Sequence, residues 1–156
     1  MRILLGRNDV NPNTPDKYGR TPLLWAAQNG HERIMWILLE RNDVNPNISN
    51  EYGRTPLALA VENGHEGVVR ILLGRNDVSP NTVDRYGRTP LSFAAQNGHE
   101  GIVKILLGRD DVNPDTADTL FGQTSLSLAA ENGHEGVVRI LLERNDVNPD
   151  TSNEYG

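Results

Sequence analysis

Residues Tyr86–Leu107 read YGRTPLSFAAQNGHEGIVKILL. Close copies lie upstream at Tyr52–Leu73 and Tyr18–Leu39, and a fourth lies downstream at Phe121–Leu142. The glycines opening the copies, Gly19, Gly53, Gly87 and Gly122, are 34, 34 and 35 residues apart. A second marker, Arg-Asn-Asp-Val or a variant, falls at Arg7, Arg41, Arg75, Arg109 and Arg144 with matching steps. Self-similarity at such a period signals a stacked array of one supersecondary unit. The expected division is a partial unit over 1–17, full units at 18–51, 52–85, 86–120 and 121–154, and a trailing partial unit at 155–156.

One copy suffices to read the local structure. Thr55-Pro56 opens a first helix, because a threonine hydroxyl caps free N–H groups and proline is tolerated where no N–H partner exists. Leu57, Ala60 and Val61 then share one helical face, while Leu59 points to another side. Trp25, Phe93 and Leu128 occupy the same place as Leu59, so Trp25 is expected in the core. Asn63-Gly64 closes this helix, and His65-Glu66 starts a second. Val68, Val69, Ile71, Leu72 and Leu73 give the second helix a broad apolar stripe. Glu66–Arg70, Glu100–Lys104 and Glu135–Arg139 stand in the favourable order for surface ion pairs. The stretch DVSPNTVDRYG, rich in turn formers, is expected to project as an extended finger. A single helix pair of this size cannot cover its own apolar faces, so stability is roughly a sum over units and their interfaces.

The pattern TPLxxAA, then NGH, then an apolar helix ending in DVN, resembles the ankyrin repeat, and the likeness covers nearly the whole chain. It implies an all-α fold: an ankyrin-repeat solenoid of stacked antiparallel helix pairs with projecting β-hairpin-like fingers. The family's usual period is about 33 residues. Here one residue is lost after the second helix and two are added in the finger. The usual TPLH histidine is replaced by Leu24, Ala58, Ser92 and Ser127, so the inter-repeat bond it makes must be replaced or absent. The RNDVNPNT finger and the close likeness of the units also resemble the long arrays of fungal multidomain proteins of the NACHT–ankyrin type. Arg2–Val10 aligns with Arg70–Val78, so the chain opens partway through a second helix, and Gly156 stands just before a Thr-Pro would follow. No polar capping repeat is visible at either end. An excised piece of a longer array, or a consensus-like sequence, is expected, and the apolar face at Val137–Leu142 could stack head-to-tail on another copy.

Bulk properties narrow the function. The net charge of −6 in 156 residues argues against nonspecific binding to nucleic acid or anionic membranes. There is no cysteine, hence no disulfide and no thiolate metal site. No apolar run approaches the roughly 20 residues of a membrane helix, and the N-terminus lacks a secretory pattern; a cytoplasmic setting is expected. His31, His65, His99 and His134 recur once per unit, but packed helices lie about 8–10 Å apart and zinc–nitrogen bonds span about 2 Å. Neighbouring histidines could not share an ion, and bonding to nearby backbone is the plainer role. Asp43-Val44-Asn45-Pro46-Asn47 imitates half a calcium loop, but the sixth and twelfth positions hold Ile48 and Arg54 rather than Gly and Glu. No nucleophile motif or phosphate cradle is present, and neither enzyme activity, cofactor nor metal is expected.

A protein partner is expected instead. The resemblance implies a concave surface built from finger tips and first helices: Lys17, Tyr18 and Arg20; Glu51, Tyr52 and Arg54; Arg85, Tyr86 and Arg88; then Leu120, Phe121 and Gln123. Gln28, Glu62, Gln96 and Glu131 line the first-helix surface beside them. Tyr and Arg are common interface anchors, although Tyr-Gly-Arg could equally serve only to brace the finger. Trp36 stands where the other units carry Arg70, Lys104 and Arg139, a position the pattern marks as exposed; it is expected either as a further contact residue or packed under the N-terminal unit. The alternative is a structural spacer or self-associating stack with no dedicated ligand.

Overall fold

The computed structural model describes residues 10–149. The helix remnant expected within Arg2–Val10 and the trailing unit at Tyr155–Gly156 lie outside them, apart from Val10. The described residues form four helix pairs: α1 (Pro22–Gln28) with α2 (Glu32–Leu39), α3 (Pro56–Glu62) with α4 (Glu66–Leu73), α5 (Pro90–Gln96) with α6 (Glu100–Leu107), and α7 (Ser125–Glu131) with α8 (Glu135–Leu142). The fold class is thus an all-α repeat solenoid of stacked helix pairs. The chain divides into two compact units, Met1–Val78 and Ser79–Gly156.

In the first unit α1 packs on α3, α2 packs on α4, and each first helix packs on its own second helix. Leu23, Leu24, Met35, Leu57, Val61, Val68, Val69 and Leu72 fill the core. The second unit repeats this with α5 on α7 and α6 on α8, around Leu91, Phe93, Ile102, Val103, Leu106, Val137 and Leu141.

Both ends of the first helices follow local chemistry. The Thr21, Thr55, Thr89 and Thr124 hydroxyls accept from the N–H groups of Leu24, Ala58, Ser92 and Ser127. Three of these threonines precede proline, whereas Thr124 precedes Ser125. Ser125 is buried and its hydroxyl has no partner among the described residues, although Thr124 already has the extended backbone that suits a following proline (φ −87°, ψ 169°). Ser125→Pro is therefore expected to raise stability by about 1 kcal/mol, by removing an unsatisfied hydroxyl and restricting the unfolded chain. Denaturant melts would show it; a loss of stability would mean that the Ser125 N–H or hydroxyl is satisfied.

The links between repeats differ from those expected. His65 and His134 do not bond to nearby backbone. Their Nε2 atoms reach the carbonyls of Gln28 and Gln96 in the preceding repeat, each at 2.9 Å. Each bond links a repeat to the one before it. Arg75 and Arg144 donate to the Leu39 and Leu107 carbonyls at the ends of the preceding second helices. Each arginine is also held by the aspartate two residues on, as are Arg41 and Arg109: Asp43, Asp77, Asp111 and Asp146. The arginine hydrogen bonds keep these four carboxyls below their ordinary value of 3.8.

The connecting stretch does not project along its whole length. Val44, Val78 and Val112 are buried, as are Pro46, Pro80 and Pro114. An amide ladder runs beside them: Asn13, Asn47 and Asn81 donate through Nδ2 to the carbonyls of Asp43, Asp77 and Asp111 in the next repeat. Asn13 and Asn81 also accept, through Oδ1, from the N–H groups of Asn45 and Asn113. A side-chain amide can both donate and accept, which is what bridging two loop backbones requires. Only the tip around Tyr-Gly extends. It is a tight turn, with no strand assigned among the described residues.

Two surface pairs form as expected, Glu66–Arg70 and Glu135–Arg139. Glu100 instead turns its carboxylate over Gly136 in the first turn of α8, in the positive field of that helix end.

Candidate functional site

Each finger tip is built on one polar residue at its base. In the first and third fingers Asp16 and Asp84 accept through Oδ1 from the N–H groups of Tyr18 and Arg20, and of Tyr86 and Arg88. Their Oδ2 atoms take the guanidinium of Arg20 and Arg88. Desolvation pushes the Asp16 carboxyl up, but the bonds from Arg20 and Tyr18 outweigh it and leave a net downward shift. Asp84 has a side chain with no exposed surface. Backbone bonds from Asp16 to the Arg20 carbonyl, and from Asp84 to the Arg88 carbonyl, close each turn at 3.0 Å.

The second finger carries Asn50 in this place. Its Oδ1 repeats the turn bonds to Tyr52 and Arg54. An amide gives the arginine no carboxylate, and Arg54 instead meets Glu62 at the end of α3, at 2.7 and 2.8 Å. The sequence carries a signal for this. Asp16 and Asp84 go with Gln28 and Gln96, whereas Asn50 goes with Glu62. In each of these three repeats the finger arginine has one carboxylate at hand, from the finger base or from the helix end. The fourth repeat has both acids, Asp118 and Glu131, and no arginine; Gln123 donates to Glu131 there.

The first unit brings together Tyr18, Arg20, Glu51, Tyr52 and Arg54 with Gln28 and Glu62 around a groove of about 470 Å³. Lys17 lies 4.8 Å from the Tyr18 ring centre. Trp25 is not in the core. It is 41% exposed, with the Arg20 guanidinium 3.9 Å from its ring centre. A finger arginine also covers the equivalent Phe93, at 4.6 Å, but Phe93 is buried.

In the second unit Arg85 and Tyr86 are exposed at the third tip, while Arg88 is committed to Asp84. Leu120 and Phe121 crown the fourth tip, each 56% exposed. Trp36 is 58% exposed, as its replacement of a basic residue suggests. It is not gathered with the finger residues; it borders a separate groove of about 250 Å³ with Arg70, Ile71 and Arg75 on the second helices.

Among the described residues no group of three or more His, Asp or Glu side chains could hold a metal ion. Asp43 of the calcium-like run is held by Arg41.

The family model described as ankyrin repeats (3 copies) matches residues 1–84 and again residues 76–153. The chain belongs to the ankyrin repeat family. A search of curated proteins finds no match. Ankyrin repeats are generally protein–protein interaction modules, and proteins built from them are generally non-enzymatic scaffolds. Among the described residues no helix is long and apolar enough to cross a membrane.

Proposed function

We propose that this ankyrin array is a non-catalytic module that binds a protein along its finger tips and first-helix ends. The observation that carries this reading is the construction of the tips. Tyr18, Tyr52, Tyr86 and Phe121 are all substantially exposed, yet each stands on a turn fixed by the side chain at its base. Exposed aromatic rings on pre-ordered backbone lose little freedom on association. The arginines contribute mainly by bracing: Arg20, Arg54 and Arg88 are held internally, so the aromatic residues and the tip charges of Lys17, Glu51 and Arg85 are the groups left to meet a partner. Trp36 belongs to a separate contact under this reading. The likeness among the units further supports a place in a long array of the fungal NACHT–ankyrin type.

A partner screen followed by Tyr52→Ala, Tyr86→Ala and Phe121→Ala tests the surface. Each anchor is expected to weaken binding by about tenfold or more, with stability changed by no more than about 0.5 kcal/mol. Unchanged affinity in all three would remove the finger-tip assignment. A second reading, self-association through the end of α8, draws support from Leu142, which is exposed, while Val137 and Leu141 of the same helix are in the core. Concentration-dependent light scattering separates the two, since a strict monomer at high concentration opposes self-association.

A further inference from the structure

Resting on the finger-tip reading above, we propose that the tips of the third and fourth fingers form a docking point for a peptide segment carrying an apolar side chain beside a carboxylate. The fourth finger is the one that departs from the pattern. It has one extra residue, and Leu120-Phe121 stands where the third finger has Arg85-Tyr86. An inserted residue in an exposed loop would ordinarily loosen it, yet this loop is held at two points. Asp118 Oδ1 accepts from the N–H groups of Leu120 and Phe121 at 2.9 and 2.7 Å. The Thr119 N–H donates to the Tyr86 carbonyl at 2.8 Å, tying the fourth tip to the third. Leu120 and Phe121 are thereby presented to water on a held backbone, at a tip bonded to the backbone of Tyr86, itself an exposed residue. Adjoining exposed apolar groups of this size mark an interaction point more often than scattered single ones do.

Charge selects the class of partner. Asp118 is buried beneath the loop, and Gln123 is bonded to Glu131. Arg85, beside Tyr86, is exposed and pairs with no carboxylate among the described residues. The tip thus offers an apolar platform with a cation at its edge, within a chain whose net charge is −6. A segment with an apolar anchor and a nearby Asp or Glu complements both features, whereas a basic segment would meet Arg85.

A library of random short peptides displayed on phage, selected against the whole chain, provides the probe. Enriched peptides are expected to carry a Leu, Ile, Phe or Trp within a few positions of Asp or Glu. Synthetic copies of them should bind Leu120→Ser/Phe121→Ser at least about tenfold more weakly, and Arg85→Glu should turn the preference toward Lys and Arg while keeping the apolar anchor. Where the double variant melts earlier than the parent, Leu120→Asn and Phe121→Asn singly should each weaken binding several-fold. Enrichment of basic peptides on the parent chain, equal binding to the tip variants, or no enrichment at all would overturn the proposal. If Tyr18→Ala and Tyr52→Ala abolish binding instead, the finger-tip function stands and this docking point falls. If no finger variant matters, both fall.

Discussion

Replacing Gly98 by alanine is expected to destabilise the protein by about 3 kcal/mol, roughly three times the loss from the equivalent Gly133→Ala. Both glycines follow the last turn of a first helix in the left-handed region, with φ of +71° and +73°. The backbone penalty for a side chain there, about 1–2 kcal/mol, is shared by both. Their surroundings are not. A methyl group at Gly133 would meet nothing within 4 Å, whereas one at Gly98 would stand 2.6 Å from His134 Nδ1. The His134 ring would have to shift, releasing the bond from its Nε2 to the Gln96 carbonyl. Urea melts of the two variants give the comparison. In a His134→Ala background the excess cost of Gly98→Ala should vanish, leaving about the Gly133→Ala value. An excess that survives removal of the ring would show that His134 is not its source. Gly30 faces His65 in the same way, at 2.6 Å, so Gly30→Ala is a second instance of the same effect.

Asp84→Asn is expected to cost about 1–3 kcal/mol, and adding Gln96→Glu should recover most of it. The asparagine keeps an oxygen for the Tyr86 and Arg88 N–H groups, as Asn50 does for Tyr52 and Arg54. It loses the carboxylate that faces the Arg88 guanidinium at 2.8 Å, where the arginine side chain is only 22% exposed. A charge left unpaired in a partly buried place accounts for the loss. The rescue copies the second repeat, where Arg54 reaches Glu62 across the first helix. The observable is the coupling energy of the double-mutant cycle, read from chemical melts. Additive effects of the two substitutions would mean that Arg88 cannot make the move seen for Arg54. Asp84→Ala should be worse than Asp84→Asn, because it also removes the acceptor of two turn N–H groups, and Gln96→Glu should leave that part unrepaired.

The period and the helix boundaries were readable from the chain because they rest on local rules. Thr-Pro and Asn-Gly act within one or two turns of backbone, and the apolar spacing inside each helix repeats without reference to any neighbour. The placing of Phe93 and Leu128 in the core followed from the same periodicity. It failed for Trp25, since burial depends on which helix lies alongside as well as on helical phase. A periodic pattern treats every copy alike and does not register what stands beside a particular one.

The candidate surface was half legible. Its aromatic positions could be named from the repeat register, and their exposure follows from standing at tight turns. The partners of the finger arginines and of the histidines could not be named, because they are chosen in three dimensions. His65 and His134 pass over nearby backbone for a carbonyl a repeat away, and Arg54 passes over its own finger for Glu62. The exchange of Asp for Asn at the finger base against Gln for Glu at the helix end was visible in the residues, but its meaning required the geometry. The register left Trp36 between an exposed contact and a place under the N-terminal unit; the geometry shows it exposed and apart from the finger surface.

The sequence alone determined what repeats, where each helix starts and stops, and which residues lie at the finger tips, since those properties depend on residues close along the chain. Only the tertiary structure decided which neighbours Arg54, Arg75, Arg144, His65 and His134 serve, that Trp25 faces water, and that the fourth tip is tied to the third through Thr119. Those outcomes are set by contacts between segments some 30 or more residues apart or between opposite ends of a repeat. Such contacts depend on how helix pairs stack, and each residue there has several near-equivalent partners that only the assembled geometry separates.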